Sequence, residues 1–312
     1  THNLLLIEGS GPLQQLKPHP DIITAICGLP AQDLVIPGAV KIKLDAGWND
    51  LIIPAAQRTM LKEYLLWIQN ADKVNKDWSA RKVGGPIALF SGPSGTGKTF
   101  AASVIANKLD WPLYRVDLGS LISKYIGETE KNLNALFSAV HGKDILLQFD
   151  EVDALMGKRG EIKDAHDRYA NMEVSHLLSR IEMHQGPCIL TTNLRKQIDP
   201  AFKRRCHFVL TFPGKKHRLA LWKSLIPPQA PVDKNLNLRQ VAEAVSLSGG
   251  EIQNAAHHAA ILAAAESRPI TLEHITIGVW RVLQKVDGQT RPNQLRQLED
   301  SLPKHIISAE ES

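Results

Sequence analysis

The octapeptide Gly92–Thr99 constrains the fold of this 312-residue chain more than any other segment. It fits the pattern G-x-x-x-x-G-K-S/T, in which glycines let successive backbone amides turn inward around a group of phosphates. The apolar residues 86–91 before it predict a buried strand, and the alanine-rich residues 100–109 after it predict a helix, whose N-terminal dipole also favours an anion. The segment therefore indicates a phosphate-binding loop rather than an ordinary glycine-rich turn.

The residues of this loop have different expected roles. Lys98 has the length and charge to reach β- and γ-phosphates, and the Thr99 hydroxyl is suited to hold Mg²⁺. The remaining residues would surround the phosphates with amide groups. The predicted nucleotide-binding residues here are Gly92, Pro93, Ser94, Gly95, Thr96, Gly97, Lys98, Thr99 and Phe100.

Composition limits the class of protein. The chain is 43% hydrophobic, carries a net charge of +5 and has a pI near 9.0, which permits nucleic-acid contact, although no long Lys/Arg run points to it. Cys27, Cys188 and Cys206 are scattered without a C-x-x-C pair, which favours a reducing, cytoplasmic setting over a disulfide framework or zinc site. No apolar stretch approaches the roughly 18–20 residues that span a bilayer, so we expect no membrane insertion.

Strand and helix patterns alternate after the phosphate-binding loop. The predicted strands are 113–117, 145–149, 188–192 and 208–212, and the predicted helices between them are 129–140 and 170–183. Such alternation gives a parallel sheet with helices on both faces. One further helix, 52–70, precedes the loop, and helices alone are predicted after Pro213-Gly214, at 217–225, 238–244, 250–265 and 272–286. The fold class is therefore α/β, followed by a smaller all-helical lid domain.

These patterns divide the chain into four parts. Residues 1–45, rich in proline and glycine, are either a small N-terminal module or a linker. Residues 46–213 form the large α/β nucleotide-binding domain, residues 214–290 the helical lid and residues 291–312 a C-terminal tail.

Acidic and amide side chains follow two of the predicted strands. Asp150 ends an apolar strand and can hold Mg²⁺, while the adjacent Glu151 can polarise the water that attacks a γ-phosphate. Asn193 follows the next strand and can bind both the γ-phosphate and this water, although asparagine is also common at strand ends as a turn residue. Beside a phosphate loop, these residues indicate the second half of a nucleotide site rather than surface acids in a turn.

Ordered motifs across the chain resemble those of an AAA+ ATPase. They are residues 92–99, 149–153 (Phe-Asp-Glu-Val-Asp), 191–193 (Thr-Thr-Asn) and 199–205 (Asp-Pro-Ala-Phe-Lys-Arg-Arg). The resemblance covers about residues 48–285 and is to the AAA family in the narrow sense. Residues 113–118, 123–133 and 164–171 are similar to a bacterial subgroup associated with phage-tail-like contractile injection systems. The resemblance thus extends to a partner class, a contractile-sheath or other injection-system component.

The resemblance implies a ring, usually a hexamer, that hydrolyses ATP with Mg²⁺ at its subunit interfaces. It assigns to Arg204 or Arg205 the role of an arginine finger, which stabilises charge on the phosphoryl group of a neighbouring subunit. Relatives often carry two arginines three residues apart with Pro-Gly between them, whereas here they are adjacent, so either can be the finger and Arg205 is favoured. The alternative is a basic helix end that complements the helix dipole.

A pore loop is a second implication of the resemblance. Lys124, Tyr125 and Ile126, followed by Gly127, match the aromatic loop that grips an extended polypeptide in the central pore of such rings. The alternative is an exposed tyrosine on an amphipathic surface. The charged segment 157–170 is either a second pore loop or a solvated connection.

Two segments outside the loop are expected near the nucleotide by the same resemblance. Asp50 and Leu51 match a segment that packs near the adenine, and Gly250 opens a lid helix that approaches the nucleotide. Gln148 departs from the family pattern, because the position before Phe149 is usually apolar. A buried unpaired amide costs about 1–3 kcal/mol, so we expect Gln148 to have a partner or to face a polar edge of the sheet.

The function predicted from these features is a Mg²⁺- and ATP-dependent motor that remodels, unfolds or disassembles a protein by threading it through a ring pore. Two alternatives stay open. One is a nucleic-acid motor or loader, for which only the basic pI argues. The other is a nucleotide-dependent scaffold in a larger assembly, suggested by Gln148 and by the adjacent arginines.

Overall fold

The computed structural model describes residues 5–8, 15–18, 35–80, 84–121, 128–154, 176–193, 200–212, 217–287 and 292–303. The strands are β1 (Leu5–Glu8), β2 (Gln15–Pro18), β3 (Ala39–Ile42), β4 (Ile87–Ser91), β5 (Leu113–Val116), β6 (Leu146–Phe149), β7 (Cys188–Thr192) and β8 (Phe208–Thr211). β1 and β2 form an antiparallel pair, and the other strands form one sheet in the order β3-β5-β6-β7-β4-β8. Among the described strands of this sheet, β3 and β5 pair antiparallel and the other neighbours pair parallel.

Helices flank this sheet and then continue alone. The helices around the sheet are α1 (Ala55–Lys76), α2 (Lys98–Leu109), α3 (Leu118–Leu121), α4 (Glu128–Val140), α5 (residues 176–183) and α6 (Pro200–Lys203). The later helices are α7 (Arg218–Leu225), α8 (Leu238–Ala244), α9 (Gly249–Ala265) and α10 (Leu272–Asp287), and 3₁₀ turns lie at Val152–Ala154 and Pro292–Ser301. This order confirms the predicted α/β fold class with a helical lid. An isolated β-bridge, Val232 to Ile270, joins two lid segments.

Each face of the sheet is covered by different helices, because successive side chains of a strand point to opposite sides. On β6, Leu146 packs with apolar residues of α1 and α2. Leu147 and Phe149 pack on the other face with residues of α4 and α5. Both layers are needed to bury a mostly parallel sheet, and they leave its strand ends free to carry polar groups.

Helix α1 anchors one face through a buried tyrosine. The predicted apolar face, Leu61, Leu65 and Ile68, is buried as expected, together with Tyr64. The Tyr64 hydroxyl donates to the carbonyl oxygens of Cys188 at 3.1 Å and Pro86 at 3.3 Å. The helix runs further than the predicted 52–70, because its polar last turns contribute to helix length without contributing to the apolar pattern.

The lid has a core of its own. Trp222, Ile252, Ile275 and Trp280 are buried at its centre. The small residues of α9 let α10 approach closely: a Cβ added at Gly278 would lie 2.4 Å from the carbonyl oxygen of Ala255. The lid is therefore a separately packed unit next to the sheet domain.

Two predicted domain boundaries differ from the structure. β3 belongs to the main sheet, so the large domain begins before residue 46. Its four residues follow a Pro-Gly turn and become a strand by pairing with β5, a partner far along the chain. At the other end, Leu295 and Leu298 of the predicted tail are fully buried in the lid core, so the lid extends beyond residue 290.

The remaining predicted helices and strands are observed close to their expected positions. Apart from α1 and the partly described α5, the observed ends of the predicted elements lie within two residues of those expected. Of the predicted helix 170–183, only residues 176–183 are described. In the part of the chain that the structure describes, no helix combines the length and apolar character needed to cross a bilayer.

Candidate functional site

A cleft of about 330 Å³ lies where β4, β6 and β7 end, against lid helix α7 and the first turn of lid helix α9. Its lining contains most of the residues predicted from the sequence, and it adds several lid residues. The lining residues are Asp50, Leu51, Ile52, Ile53, Ser94, Gly95, Thr96, Gly97, Lys98, Thr99, Phe100, Asp150, Glu151, Asn193, His217, Leu221, Leu225, Gly249, Gly250 and Gln253.

The loop between β4 and α2 has a backbone that requires glycine. Gly95 and Gly97 have φ values of +72° and +91°, in the left-handed region that other residues adopt at a cost. A Cβ at Gly95 would also lie 2.9 Å from Ser248 Oγ. The Thr96 hydroxyl donates to the Pro93 carbonyl at 2.8 Å and closes the loop on itself. The predicted phosphate loop is therefore formed as a compact turn at the start of α2.

Lys98 is held at the base of this loop by oxygen atoms on three sides. Its Nζ donates to the carbonyls of Gly92 at 2.7 Å and Pro93 at 2.9 Å, and to Asn193 Oδ1 at 2.9 Å. Burial lowers the pKa of Lys98 from its ordinary value, and nearby carboxylates, Asp150 first among them, oppose that shift. Gly92 and Pro93 thus position the Lys98 ammonium group through their carbonyls, and they are not among the described lining residues.

A network of hydrogen bonds joins the ends of β6 and β7. The Thr191 hydroxyl donates to Asp150 Oδ1 in a short contact, and it accepts from the Glu151 amide at 3.2 Å. Asn193 Nδ2 donates to Glu151 Oε1 at 3.2 Å, while the Asn193 amide donates to Asp153 Oδ1 at 3.2 Å. Asn193 consequently contacts the lysine and Glu151 at once.

Glu151 has an unusual backbone conformation. Its φ is +50°, which costs about 1–2 kcal/mol for a residue with a side chain. The hydrogen bond from its amide to Thr191 Oγ1 helps to hold this conformation. Strained residues of this kind cluster at functional sites, because the surrounding structure fixes a side chain where the chemistry needs it.

Gln148 has the polar partner that the sequence led us to expect. It is fully buried on β6, and its Nε2 donates to Thr99 Oγ1 at 3.0 Å. Its Oε1 has no hydrogen-bond partner among the described residues. The amide therefore faces Thr99 at the start of α2 rather than an edge of the sheet.

The oxygen donors in the cleft suit an Mg²⁺ ion that is bound jointly by protein side chains and phosphates. Mg²⁺ binds oxygen, commonly through one or two protein ligands together with phosphates and water. The Thr99 hydroxyl and Asp150 carboxylate line the same cleft and are ligands of that kind. Among the described residues, no group of three or more His, Cys, Asp or Glu side chains forms a metal site. A site that depends on phosphate to complete its coordination matches both observations.

On the opposite wall, the segment before α1 is fixed by Arg58. Its guanidinium donates to the carbonyls of Trp48, at 3.1 Å, and Leu51, in a shorter contact. Asp50 accepts from the Gly47 amide at 3.0 Å, so its carboxylate is turned towards its own loop. The cleft side of this segment is thus formed by backbone and by apolar side chains, which suits a flat base more than a charged group.

The lid contributes residues that the sequence did not indicate. Leu221 and Leu225 lie one helical turn apart on α7, and their spacing was the available signal. His217, which precedes α7 with φ +66°, belongs to the basic sequence 215–218, which is typical of a solvated helix start, and Gln253 has no sequence signal. These positions depend on how the lid packs against the loop.

Several predicted residues lie elsewhere. Arg204 and Arg205 follow α6, are exposed, and are not among the described residues that line the cleft. Arg205 Nε pairs with Glu182 at 3.3 Å within the same chain. Lys124, Tyr125 and Ile126, as well as segment 157–170, fall outside the described residues.

A glycine-rich loop between strand and helix, with a lysine at its base and acids at the next strand end, defines a P-loop nucleotide-binding domain. Comparison with known proteins gives the family. Residues 88–214 match the AAA family, described as the ATPase family associated with various cellular activities. Residues 88–214 are therefore similar to an AAA family ATPase domain, in agreement with the resemblance seen in the sequence.

Similar proteins span bacteria, archaea and animals. The uncharacterized AAA family ATPase y4kL of Sinorhizobium fredii is 35% identical over 173 residues, 55% of this chain and 51% of that protein. The cell division cycle protein 48 homolog of Archaeoglobus fulgidus is 32% identical over 188 residues, 58% of this chain and 25% of its own length. Spastin of Xenopus laevis is 28% identical over 208 residues, 64% of this chain and 34% of spastin. The chain thus spans about half or less of these relatives.

Proposed function

We propose that this chain is a Mg²⁺-dependent ATPase whose active sites are completed between subunits of a ring, and that the ring remodels protein substrates. The observation that carries this proposal is the connection of Lys98, Asn193 and Glu151 in one cleft. The same arrangement supplies a phosphate-binding cation, an amide and a carboxylate base within a few ångströms of each other.

Binding would place the triphosphate over the loop amides 94–99. Lys98 would exchange one of its present oxygen acceptors for a β- or γ-phosphate oxygen, with little movement of its buried stem. The base would lie between the segment at Asp50 and Leu51 and the lid, where Gly250 marks the first turn of α9. The nucleotide would therefore contact both domains.

Hydrolysis would use the network at the strand ends. Thr99 and Asp150 would hold Mg²⁺, which would neutralise part of the charge on the phosphates. Glu151 would accept a proton from the attacking water. The water oxygen then bonds to the γ-phosphorus, and the bond between this phosphorus and ADP breaks. Asn193 orients the Glu151 carboxylate through Nδ2, and it can also contact the γ-phosphate.

The position of the two predicted arginines supports a ring. Arg204 and Arg205 are exposed next to the sheet domain and lie outside the described lining of their own cleft. In a ring, usually a hexamer in this family, such arginines can reach the γ-phosphate of a neighbour. Arg205, whose guanidinium pairs with Glu182 at 3.3 Å, is our choice for the finger.

Substrate remodelling rests on the sequence of the predicted pore loop, Lys124, Tyr125 and Ile126. The bacterial resemblance further suggests a contractile-sheath or other injection-system component as substrate. A nucleic-acid motor is the less favoured alternative, since the basic pI alone argues for it. A scaffold that binds nucleotide without turnover conflicts with the complete set formed by Lys98, Asn193 and Glu151.

Steady-state phosphate release, measured beside equilibrium binding of ATP, tests the proposal. Wild type should hydrolyse ATP, and Glu151→Gln should bind ATP while losing turnover, because the carboxylate base alone is removed. Binding without turnover in the wild type would support the scaffold instead. Tyr125→Ala should keep ATPase activity and lose unfolding of a tagged model protein; intact unfolding by that variant would remove the threading mechanism.

A further inference from the structure

The carboxamide of Gln148 uses only half of its hydrogen-bonding capacity in a fully buried position. Nε2 donates to Thr99 Oγ1 at 3.0 Å, whereas Oε1 has no partner among the described residues. A buried carbonyl without a donor costs about 1–3 kcal/mol, and an apolar side chain would avoid that cost. Since Gln148 lies two residues before Asp150 and directly on Thr99, the unused oxygen is at the metal-binding side of the cleft.

The Thr99 hydroxyl has to redistribute its hydrogen bonds when it binds a cation. A hydroxyl has one proton to donate and two lone pairs to offer. One lone pair now accepts from Gln148, which places a positively polarised N–H beside the oxygen that would ligate the metal. Once the oxygen ligates a cation, its proton becomes more acidic and requires an acceptor. Asp150 Oδ1 already accepts from the Thr191 hydroxyl.

Gln148 can become that acceptor by a half-turn of its amide. The two ends of a carboxamide are nearly equal in size, so rotation about Cγ–Cδ exchanges Oε1 and Nε2 without changing the packing. After rotation, Oε1 would accept the Thr99 proton, and the Nε2 donors would move to the place that the unused carbonyl oxygen occupies now. The N–H dipole would also be removed from the neighbourhood of the cation.

We propose that Gln148 is a positioning residue for the divalent cation: its carboxamide accepts the Thr99 hydroxyl proton in the metal-bound site and directs the Thr99 oxygen at the metal. This inference rests on the proposed function, because it assumes that Thr99 and Asp150 hold the cation. If the inference is right, the gain in nucleotide affinity on adding the cation depends on Gln148, which contacts neither the nucleotide nor the metal.

The test compares nucleotide affinity with and without metal. Binding of a fluorescent ATP analogue to the full chain is measured in Mg²⁺ and in EDTA, for wild type, Gln148→Leu and Gln148→Met. Both variants remove the acceptor and keep the volume. We expect their EDTA affinities to stay near wild type, while the gain on adding Mg²⁺ falls by about fivefold, the value of one hydrogen bond.

Two further variants separate positioning from packing. Leu146→Met changes a buried residue on the same strand that packs among apolar side chains, so its gain on adding Mg²⁺ should equal that of wild type. Gln148→Glu keeps an acceptor, in either protonation state, and should retain most of the gain. Thermal unfolding of each sample confirms folding; Gln148→Leu should unfold no earlier than wild type, since it removes an unsatisfied carbonyl.

Equal losses of affinity in Mg²⁺ and EDTA, or a wild-type gain in both Gln148→Leu and Gln148→Met, would overturn the inference. If Gln148→Leu does not fold, the unbranched Gln148→Met decides the result, and Gln148→Glu serves in the same way by retaining the gain or losing it. If the wild-type chain binds the ATP analogue with the same affinity in Mg²⁺ and in EDTA, the proposed function itself is contradicted. The two failures are therefore distinguishable.

Discussion

The backbone amide of Gly250 donates a hydrogen bond of 2.9 Å to the carbonyl oxygen of Gly95. Gly95 belongs to the phosphate loop, and Gly250 belongs to the first turn of lid helix α9. Ser248 and Glu251 form a capping box that fixes this end of the helix. The nucleotide loop and the lid are thus joined backbone to backbone, so a shift of the loop on binding has a direct route to the lid.

Gly95→Ala tests this contact. The new Cβ would require φ +72° and would lie 2.9 Å from Ser248 Oγ, so we expect the affinity for ATP to fall by about tenfold or more. The matched control is Gly142→Ala, which has a similar φ of +69° and whose Cβ would have no atom of the described residues within 4 Å. Both should lose similar stability in thermal unfolding, and only the first should lose affinity. Equal affinities would show that the loop tolerates movement away from the lid.

Asn193→Ala should impair turnover more than binding. The change removes the hydrogen bond to Glu151 Oε1 and one of three oxygen acceptors of Lys98. Misplacing a polar group that acts in the transition state costs about 10²-fold in kcat. Steady-state kinetics should therefore show kcat reduced by that order with a small change in KM, and the exposed Asn70→Ala on α1 serves as control. A rise in KM at unchanged kcat would place Asn193 in binding alone.

Tyr64→Phe should destabilise the sheet domain by about 1 kcal/mol. The variant keeps the buried ring and loses the hydroxyl that donates to the Cys188 and Pro86 carbonyls. Burial raises the pKa of Tyr64 well above its ordinary value, so the hydroxyl remains a donor throughout the usual pH range. Urea unfolding measures the difference. An unchanged unfolding free energy would mean that the backbone pairing of β4 with β7 already satisfies those carbonyls.

Acid should destabilise the fold partly through His184. Burial, with smaller effects from His141 and Arg180, lowers its pKa to about 4 from an ordinary value of 6.5. The unfolded chain therefore binds a proton first as the pH falls from about 6.5 to about 4, and stability decreases over that interval. His184→Phe keeps the aromatic contact with Phe137 and removes the titration. Its unfolding free energy should fall less steeply in that window than that of wild type; identical slopes would contradict this assignment.

Local patterns predicted the parts of the site that are continuous in sequence. The loop at Gly92–Thr99 and the acids after β6 were identified because each follows a buried strand in a recognisable spacing. The sequence predicted a polar partner for Gln148 but could not identify it as Thr99, because the two residues are 49 positions apart and meet between β6 and helix α2. β3 carries a weak apolar pattern and owes its conformation to β5. His217 enters the cleft through the packing of the lid, which no local pattern encodes.

The most direct test of the central claim, an ATPase site shared between subunits, is the activity of mixed rings. Glu151→Gln and Arg205→Ala are each expected to be inactive alone. In a random equal mixture, about one quarter of the interfaces would join an intact Glu151 to an intact Arg205 from the neighbour, and ATPase activity should return to about that fraction of wild type. If unmixed Arg205→Ala remains active, Arg204→Ala is mixed with Glu151→Gln in the same way, and recovery of activity identifies Arg204 as the finger. Two results would contradict a shared site. One is that both arginine variants are inactive alone and no mixture regains activity. The other is that neither arginine is needed for ATP hydrolysis.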